Sequence, residues 1–180
     1  MAPELHFDLS LYPDPVLRKP AQAVAAFDEE LRAIVAGMFE RMYASKGVGL
    51  AAPQVGLKTR ILVVNPTGEA KDELLLVNPK ILERSGPATV FEEGCLSFPG
   101  IYAEIERPEN CRVAACRIDG TPFEQTFSGF VSRIVQHEYD HLEGVLLVDR
   151  MSPADKARHR AALANLVERY KSRKLSGAGR

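Results

Sequence analysis

The segment QHEYDHLEG, residues 136–144, places His137 and His141 four positions apart, with Glu138 beside the first histidine. On a helix, positions i and i+4 lie one above the other on a single face. Two imidazoles at that spacing can reach one metal ion, and the adjacent carboxylate can reach a water held there. The competing reading is a pair of solvated or core histidines. The surrounding sequence weakens it. Phe130, Val131, Ile134, Val135 and Leu142 leave this helix only a narrow polar arc. Unpaired ionisable groups buried on such a helix would cost several kcal/mol in desolvation.

Two histidines need a third protein ligand, and catalysis then needs an open fourth position. Downstream candidates are Glu143, Asp149, Asp155, His159 and Glu168. Glu143 follows too closely and points away from His141, and His159 reads as a surface residue. Upstream, Cys95 lies in EEGCLSFPG, a turn-rich setting that could present a thiolate, so Cys95 is the favoured third ligand. Gly94 before it lets backbone approach closely. Cys111 and Cys116 lie five apart on a strand and read as small buried apolar residues. An odd count of three cysteines does not suggest a disulfide framework. A third stretch, KGVGLAAPQVG at 46–56, carries three glycines and a proline. By itself it is a plain turn between helix and strand. It contains Gln54, however, whose amide can donate to a developing oxyanion.

These residues need elements to hold them. The chain has 180 residues, enough for one domain with a substantial core, and residues 1–180 are read as a single catalytic domain. The proline-rich start, to Phe27, is expected to wrap the surface. A helix follows, capped by Asp28, with Leu31, Ile34, Val35, Met38 and Met42 inward. The middle reads as short separate strands: RILVVN, LLLVNP, ATVFEE, IYAEIERP, CRVAACRID and PFEQTFSG. The histidine helix is expected over about 128–143, ended by Gly144. A last helix is expected from Ser152, with Pro153 in its first turn and Asp155 completing a capping box, to about Ser172. Residues 173–180 read as a flexible tail. The expected class is α+β, with antiparallel sheets packed around a buried metal-binding helix and a helix at each end.

With 46% apolar and 26% charged residues and a net charge of −1, neither DNA nor a membrane surface is expected as a partner. No secretory signal or membrane span is visible, which points to a soluble cytoplasmic protein.

Together, GVGLAAPQ at 47–54, EGCLS at 93–97 and QHEYDH at 136–141 resemble the peptide deformylases, in order and spacing. The resemblance covers nearly the whole chain and is closest to the type I branch of bacteria and organelles. It implies a metal-dependent hydrolase that removes the N-formyl group from the N-terminal methionine of newly made proteins, releasing formate. It implies that Cys95, His137 and His141 hold one divalent metal, with Glu138 as general base and then general acid. It also implies that Gln54 and the Leu96 backbone N–H form the oxyanion hole. Gly49 then lies where the extended substrate backbone pairs with the loop. The family implies iron(II) in the cell; by donor type alone zinc, nickel or cobalt fit equally.

Val48 and Ile134 are expected to line a methionine pocket, with Gly94 also bordering the substrate. Phe98 and Tyr102 depart from common family patterns and put peptide preference in question. Arg133 is expected along the rim, with a packed stem and a wet head. Glu93 and Asp140 are candidates to orient the imidazoles, although Asp140 could instead pair with Arg107 purely to hold the fold. Basic residues 169, 171, 173, 174 and 180 could touch the ribosome, but the simpler reading is a helix C-terminus favouring cations. Two rival functions remain: a zinc peptidase or other amidase, and a metal-stabilised binding module without turnover.

Overall fold

The computed structural model describes residues 5–177. Helix α1, Glu29–Ala44, starts where the Leu31 amide donates to the Asp28 carboxylate at 3.0 Å. It buries Leu31, Val35, Met38 and Met42 against Leu50, Ile61 and Val63. The loop after it leads to strand β1, Gly49–Ala51, and a 3-10 turn, Ala52–Val55. The glycine-rich stretch read as a plain turn is therefore part of the sheet.

Strands β2 (Ile61–Val64), β3 (Leu74–Gly94), β4 (Tyr102–Cys116) and β5 (Pro122–Ser128) complete an antiparallel meander in the order β1-β2-β3-β4-β5. Hydrogen bonding joins all five strands into one continuous sheet. The expected breaks at Asn78–Pro79 and Gly86–Pro87 lie inside β3, at shifts in its register with β4. Asn78 takes φ +51 there, and its side chain bonds the backbone of Val24 at both ends, 2.7 and 3.0 Å. A bulge that absorbs extra residues bends a strand without ending it. The turn residues were thus real signals of bends, misread as strand ends.

Helix α2, Gly129–Leu142, follows β5 directly and lies against the sheet. Ile134, Val135 and Leu142 pack with Leu62, Val64, Leu76, Val113 and Phe127. Each such side chain contributes about 1.5–3 kcal/mol when buried. The helix ends in a Schellman arrangement: Val145 N–H reaches the Asp140 carbonyl and Gly144 N–H that of His141. Gly144 sits at φ +74, and the N-terminal segment crosses here, with Ala21 N–H bonded to the Leu142 carbonyl at 2.8 Å.

Beyond it come α3, Leu147–Arg150, α4, Pro153–Arg158, and α5, Arg160–Gly177. The expected single last helix is interrupted at His159, where the ring Nε2 lies 2.7 Å from the Tyr102 carbonyl. Ser152 caps α4 as expected, but the capping box is half made. The Asp155 carboxylate accepts from Glu104 N–H and pairs with Arg158 instead. The tail expected to fray is helical through Gly177; residues 178–180, Arg180 among them, lie outside the described residues. No helix among the described residues is long and apolar enough to cross a membrane.

A β-carbon at Gly144 would meet the Arg18 carbonyl oxygen at 2.5 Å, whereas Gly68, also at positive φ, has open space around it. Both alanine variants bear the left-handed penalty of about 1–2 kcal/mol, but only Gly144→Ala must also displace the crossing segment. Its melting temperature is expected to fall well below that of Gly68→Ala in thermal unfolding followed by circular dichroism. Equal melting temperatures would contradict the crossing described here.

Candidate metal centre and its cleft

Helix α2 carries Arg133, His137, Glu138, Asp140 and His141 into the interior. The Cys95 sulfur and one ring nitrogen from each of His137 and His141 lie within 4.8 Å of one another. Cys95 Sγ is 3.3 Å from His141 Nε2. Bonds of about 2.0–2.3 Å to one tetrahedral ion would space such donors roughly 3.3–3.6 Å apart. A sulfur and two imidazole nitrogens already gathered in this way fit a single divalent ion. The Glu138 carboxylate supports the fit, since its Oε2 is buried without a hydrogen-bond partner.

Glu93 orients the His137 ring. Its Oε2 lies 2.9 Å from His137 Nδ1, which leaves Nε2 for the ion. Arg107 grips the same carboxylate twice, at 2.7 and 3.0 Å, and Arg133 Nη1 adds a third arginine contact at 2.8 Å. Burial alone would raise the Glu93 carboxyl. Hydrogen bonds from His137 and Arg107, with the Arg107 charge, outweigh burial and hold it at about 2. Asp140 takes Arg107 Nη1 at 2.9 Å and Arg150 Nη2 at 2.7 Å. Of the two roles weighed for Asp140, the pairing with Arg107 is the one formed.

The other ionisable groups respond to the same burial. Burial pushes the Glu138 carboxyl up to about 7, against the pull of His137. It holds His141 well below its ordinary value, and the neighbouring charge of His137 adds to that. His137 moves the other way, because its bonds to Cys95 and Glu93 outweigh burial. A carboxyl near 7 exchanges protons readily at neutral pH, the property needed of an acid–base group.

A cleft of about 550 Å³ opens onto this cluster. Val48, Gly49, Gly94 and Ile134 line it, and so do Leu96 and Tyr102. Gly49 is a close-approach position: a β-carbon there would meet Ile134 at 2.6 Å and the Glu138 carboxylate at 2.7 Å. Gln54 is buried beside the cluster, with its Nε2 3.6 Å from Cys95 Sγ. Phe98 also borders the cleft and stacks on Tyr12 with ring centroids 4.9 Å apart. Tyr102 is half exposed and lies against Gly94.

Arg133 overturns one expectation. Its head is buried, bonded to Glu93 and to the carbonyls of Ile105 and Thr89 at 3.0 and 2.7 Å. A carboxylate and two carbonyls replace the water it was expected to reach. Phe130 was read only as part of the helix's apolar surface, yet it is 53% exposed and lines the cleft. Its spacing carried the signal, since 130, 134, 137, 138 and 141 share one helical face. The pairing of Arg107 with Asp140 was expected, but its grip on Glu93 had no comparable local signature.

An antiparallel sheet closed over one helix, with a soft sulfur, two nitrogens and a nearby carboxyl on the cleft side, defines a single-metal hydrolytic centre as a class. Comparison with known proteins narrows the class. The family model for polypeptide deformylase matches residues 7–157. The chain is 47% identical over 164 residues to Arabidopsis thaliana peptide deformylase 1B, chloroplastic/mitochondrial, covering 90% of this chain and 60% of that protein. It is 42% identical over 165 residues to peptide deformylase of Thermotoga maritima, covering 92% of this chain and 99% of that one. A crystal structure of peptide deformylase from Plasmodium falciparum superposes with a TM-score of 0.90 at 41% identity, over 92% of this chain and 98% of that one. The chain spans about three fifths of the length of the Arabidopsis relative. The chain belongs to the polypeptide deformylase family, a family of metalloenzymes with plant and bacterial members.

Glu93→Gln is expected to weaken metal binding by roughly 10–100-fold, measured by competition with a chelator. The pH dependence follows from the sign of the shift. Glu93 is lowered on folding from 4.5 to about 2, so its contribution is full above about pH 4.5 and lost as pH falls toward 2. The urea midpoint of the wild type should therefore fall between pH 5 and 3 more steeply than that of Glu93→Gln. Parallel curves would contradict the role given to this carboxylate.

Proposed function

We propose that the chain is a peptide deformylase in action as well as in family. It hydrolyses the formyl amide at the N-terminal methionine of newly made proteins and releases formate. The observation that carries this reading is the buried Glu138 carboxyl, its Oε2 without a hydrogen-bond partner, lining the cleft beside the Cys95–His137–His141 cluster. Cys95, His137 and His141 would hold a divalent ion, which supplies Lewis acidity toward water and the formyl oxygen. Iron(II) is the proposed ion, on the family likeness, and zinc, nickel or cobalt suit the same donors.

The chain's own groups do the rest. Glu138 takes the proton of the attacking water and later hands it to the departing amine, acting as base and then acid. Gln54 Nε2 and the Leu96 N–H donate to the oxygen on which negative charge grows; one such donor is typically worth about 2.7–4 kcal/mol. The peptide lies extended between the Gly49 strand and Gly94, both of which line the cleft. Val48 and Ile134 flank the methionine side chain, and Phe130 adds an aromatic wall. A tight wall around the reacting carbon, to which the close approach of Ile134 and Glu138 at Gly49 contributes, would admit a hydrogen and reject a methyl.

Residues 1–180 are proposed to act as one catalytic domain. One continuous sheet supports this, as does the match over 99% of the Thermotoga relative. Action in the cytoplasm is proposed on the same bacterial likeness.

Metal-loaded protein should release formate from formyl-Met-Ala-Ser and leave acetyl-Met-Ala-Ser intact. Equal hydrolysis of both, or cleavage at internal peptide bonds, would point to a different amidase or a peptidase. Glu138→Gln should keep metal and fold while turnover drops by roughly 10²–10⁴-fold. Undiminished turnover in that variant would remove Glu138 from the chemistry.

A further inference from the structure

The Gln54 side chain is held by partners of fixed polarity. A carboxamide can turn over, exchanging its acceptor oxygen for its donor nitrogen. At one end the Ala51 N–H, which can only donate, meets Gln54 Oε1 at 2.9 Å. At the other end Gln54 Nε2 lies 3.3 Å from Ser97 Oγ and 3.6 Å from Cys95 Sγ. Ser97 has one hydroxyl proton. It goes to the Ser10 carbonyl at 2.8 Å, a group that can only accept. Ser97 Oγ must therefore face Gln54 as an acceptor, and only the NH₂ side of the amide satisfies it.

Gln54 and Ser97 are 1% and 0% exposed, so bulk water cannot replace either partner. The segment that supplies Ser10 is itself tied to both residues. Ser10 N–H donates to the Gln54 carbonyl at 2.7 Å, and Tyr12 N–H donates to the Ser97 carbonyl at 2.9 Å.

We propose that Ser97, backed by the Ser10 carbonyl, is a positioning residue that aims the Gln54 amide at the formyl oxygen. One amide proton is committed to Ser97. The other is turned toward the Cys95 side, where the cleft opens. Ser97 touches no reacting atom and acts only through Gln54. The inference rests on the deformylase reading above and adds a residue that must work for Gln54 to donate.

A double-mutant cycle tests it, with kcat, KM and bound metal measured on metal-loaded protein and formyl-Met-Ala-Ser. Ser97→Ala is expected to lower kcat about 10- to 100-fold, with KM and metal content unchanged, as for a misaimed group. In a Gln54→Ala background the same substitution should lower kcat no further, because its target is gone. Should Ser97→Ala not fold, Ser97→Cys keeps the size with a much weaker acceptor and carries the same cycle. The proposal is overturned by unchanged kcat in a folded Ser97 variant, by equal losses in both backgrounds, or by a loss that tracks metal content. It is also overturned if Gln54→Ala leaves kcat intact. Absence of formate release by the metal-loaded wild type would instead overturn the deformylase reading.

Discussion

The burial of charge on one helix is the constraint to which the rest of the structure answers. Five ionisable residues of α2 are buried, and each would be costly without a partner. The protein meets this by stringing carboxylates and guanidinium groups alternately. Glu93 lies between Arg133 and Arg107, and Asp140 between Arg107 and Arg150. Removing one member of such a chain leaves a buried charge uncompensated, which costs far more than the intact chain contributes. His137 is attached to the chain through Glu93 and lines the cleft beside Glu138, while His141 is buried against Cys95. The ordering of the ligands and the ordering of the core are thus the same interaction.

The sheet serves this arrangement by bringing distant segments to one helix face. The end of β3 supplies Glu93 and Gly94, the turn beyond it Cys95, and β1 the close approach at Gly49. Bulges along β3, each an extra residue opposite β4, let the long strand bend while keeping its pairing. The N-terminal segment closes the other side, through Ala21 at the helix end and through Ser10 and Tyr12 at Gln54 and Ser97. Residues far apart in sequence therefore share responsibility for a few side-chain directions at the centre.

What could be read from the sequence follows the range of the forces involved. The gathering of Cys95, His137 and His141 was legible because the i and i+4 spacing of His137 and His141, and the glycine beside Cys95, are local signatures of chemistry. Helices α1 and α2 were legible for the same reason, from apolar periodicity and caps. The class of fold was legible from strand-like runs between helices. The number of strands was not, because Asn78 and Gly86 mark bends as well as ends and only pairing with β4 decides which. Arg133 was misplaced because an arginine's surroundings are set by tertiary partners, here Glu93 and the Thr89 carbonyl. The break at His159 had no local cause to read, since it coincides with a contact to Tyr102, 57 residues earlier.

The central claim is that one sulfur and two imidazole nitrogens hold a single ion with a position left for a small oxygen ligand. X-ray absorption at the edge of the bound metal, on anaerobically loaded protein, reads that shell directly. One sulfur at about 2.3 Å, two nitrogens at about 2.0–2.1 Å and one further light atom are the predicted result. The sulfur signal should vanish in Cys95→Ser. A shell of light atoms with no sulfur, or one closed by four protein ligands, would contradict the account.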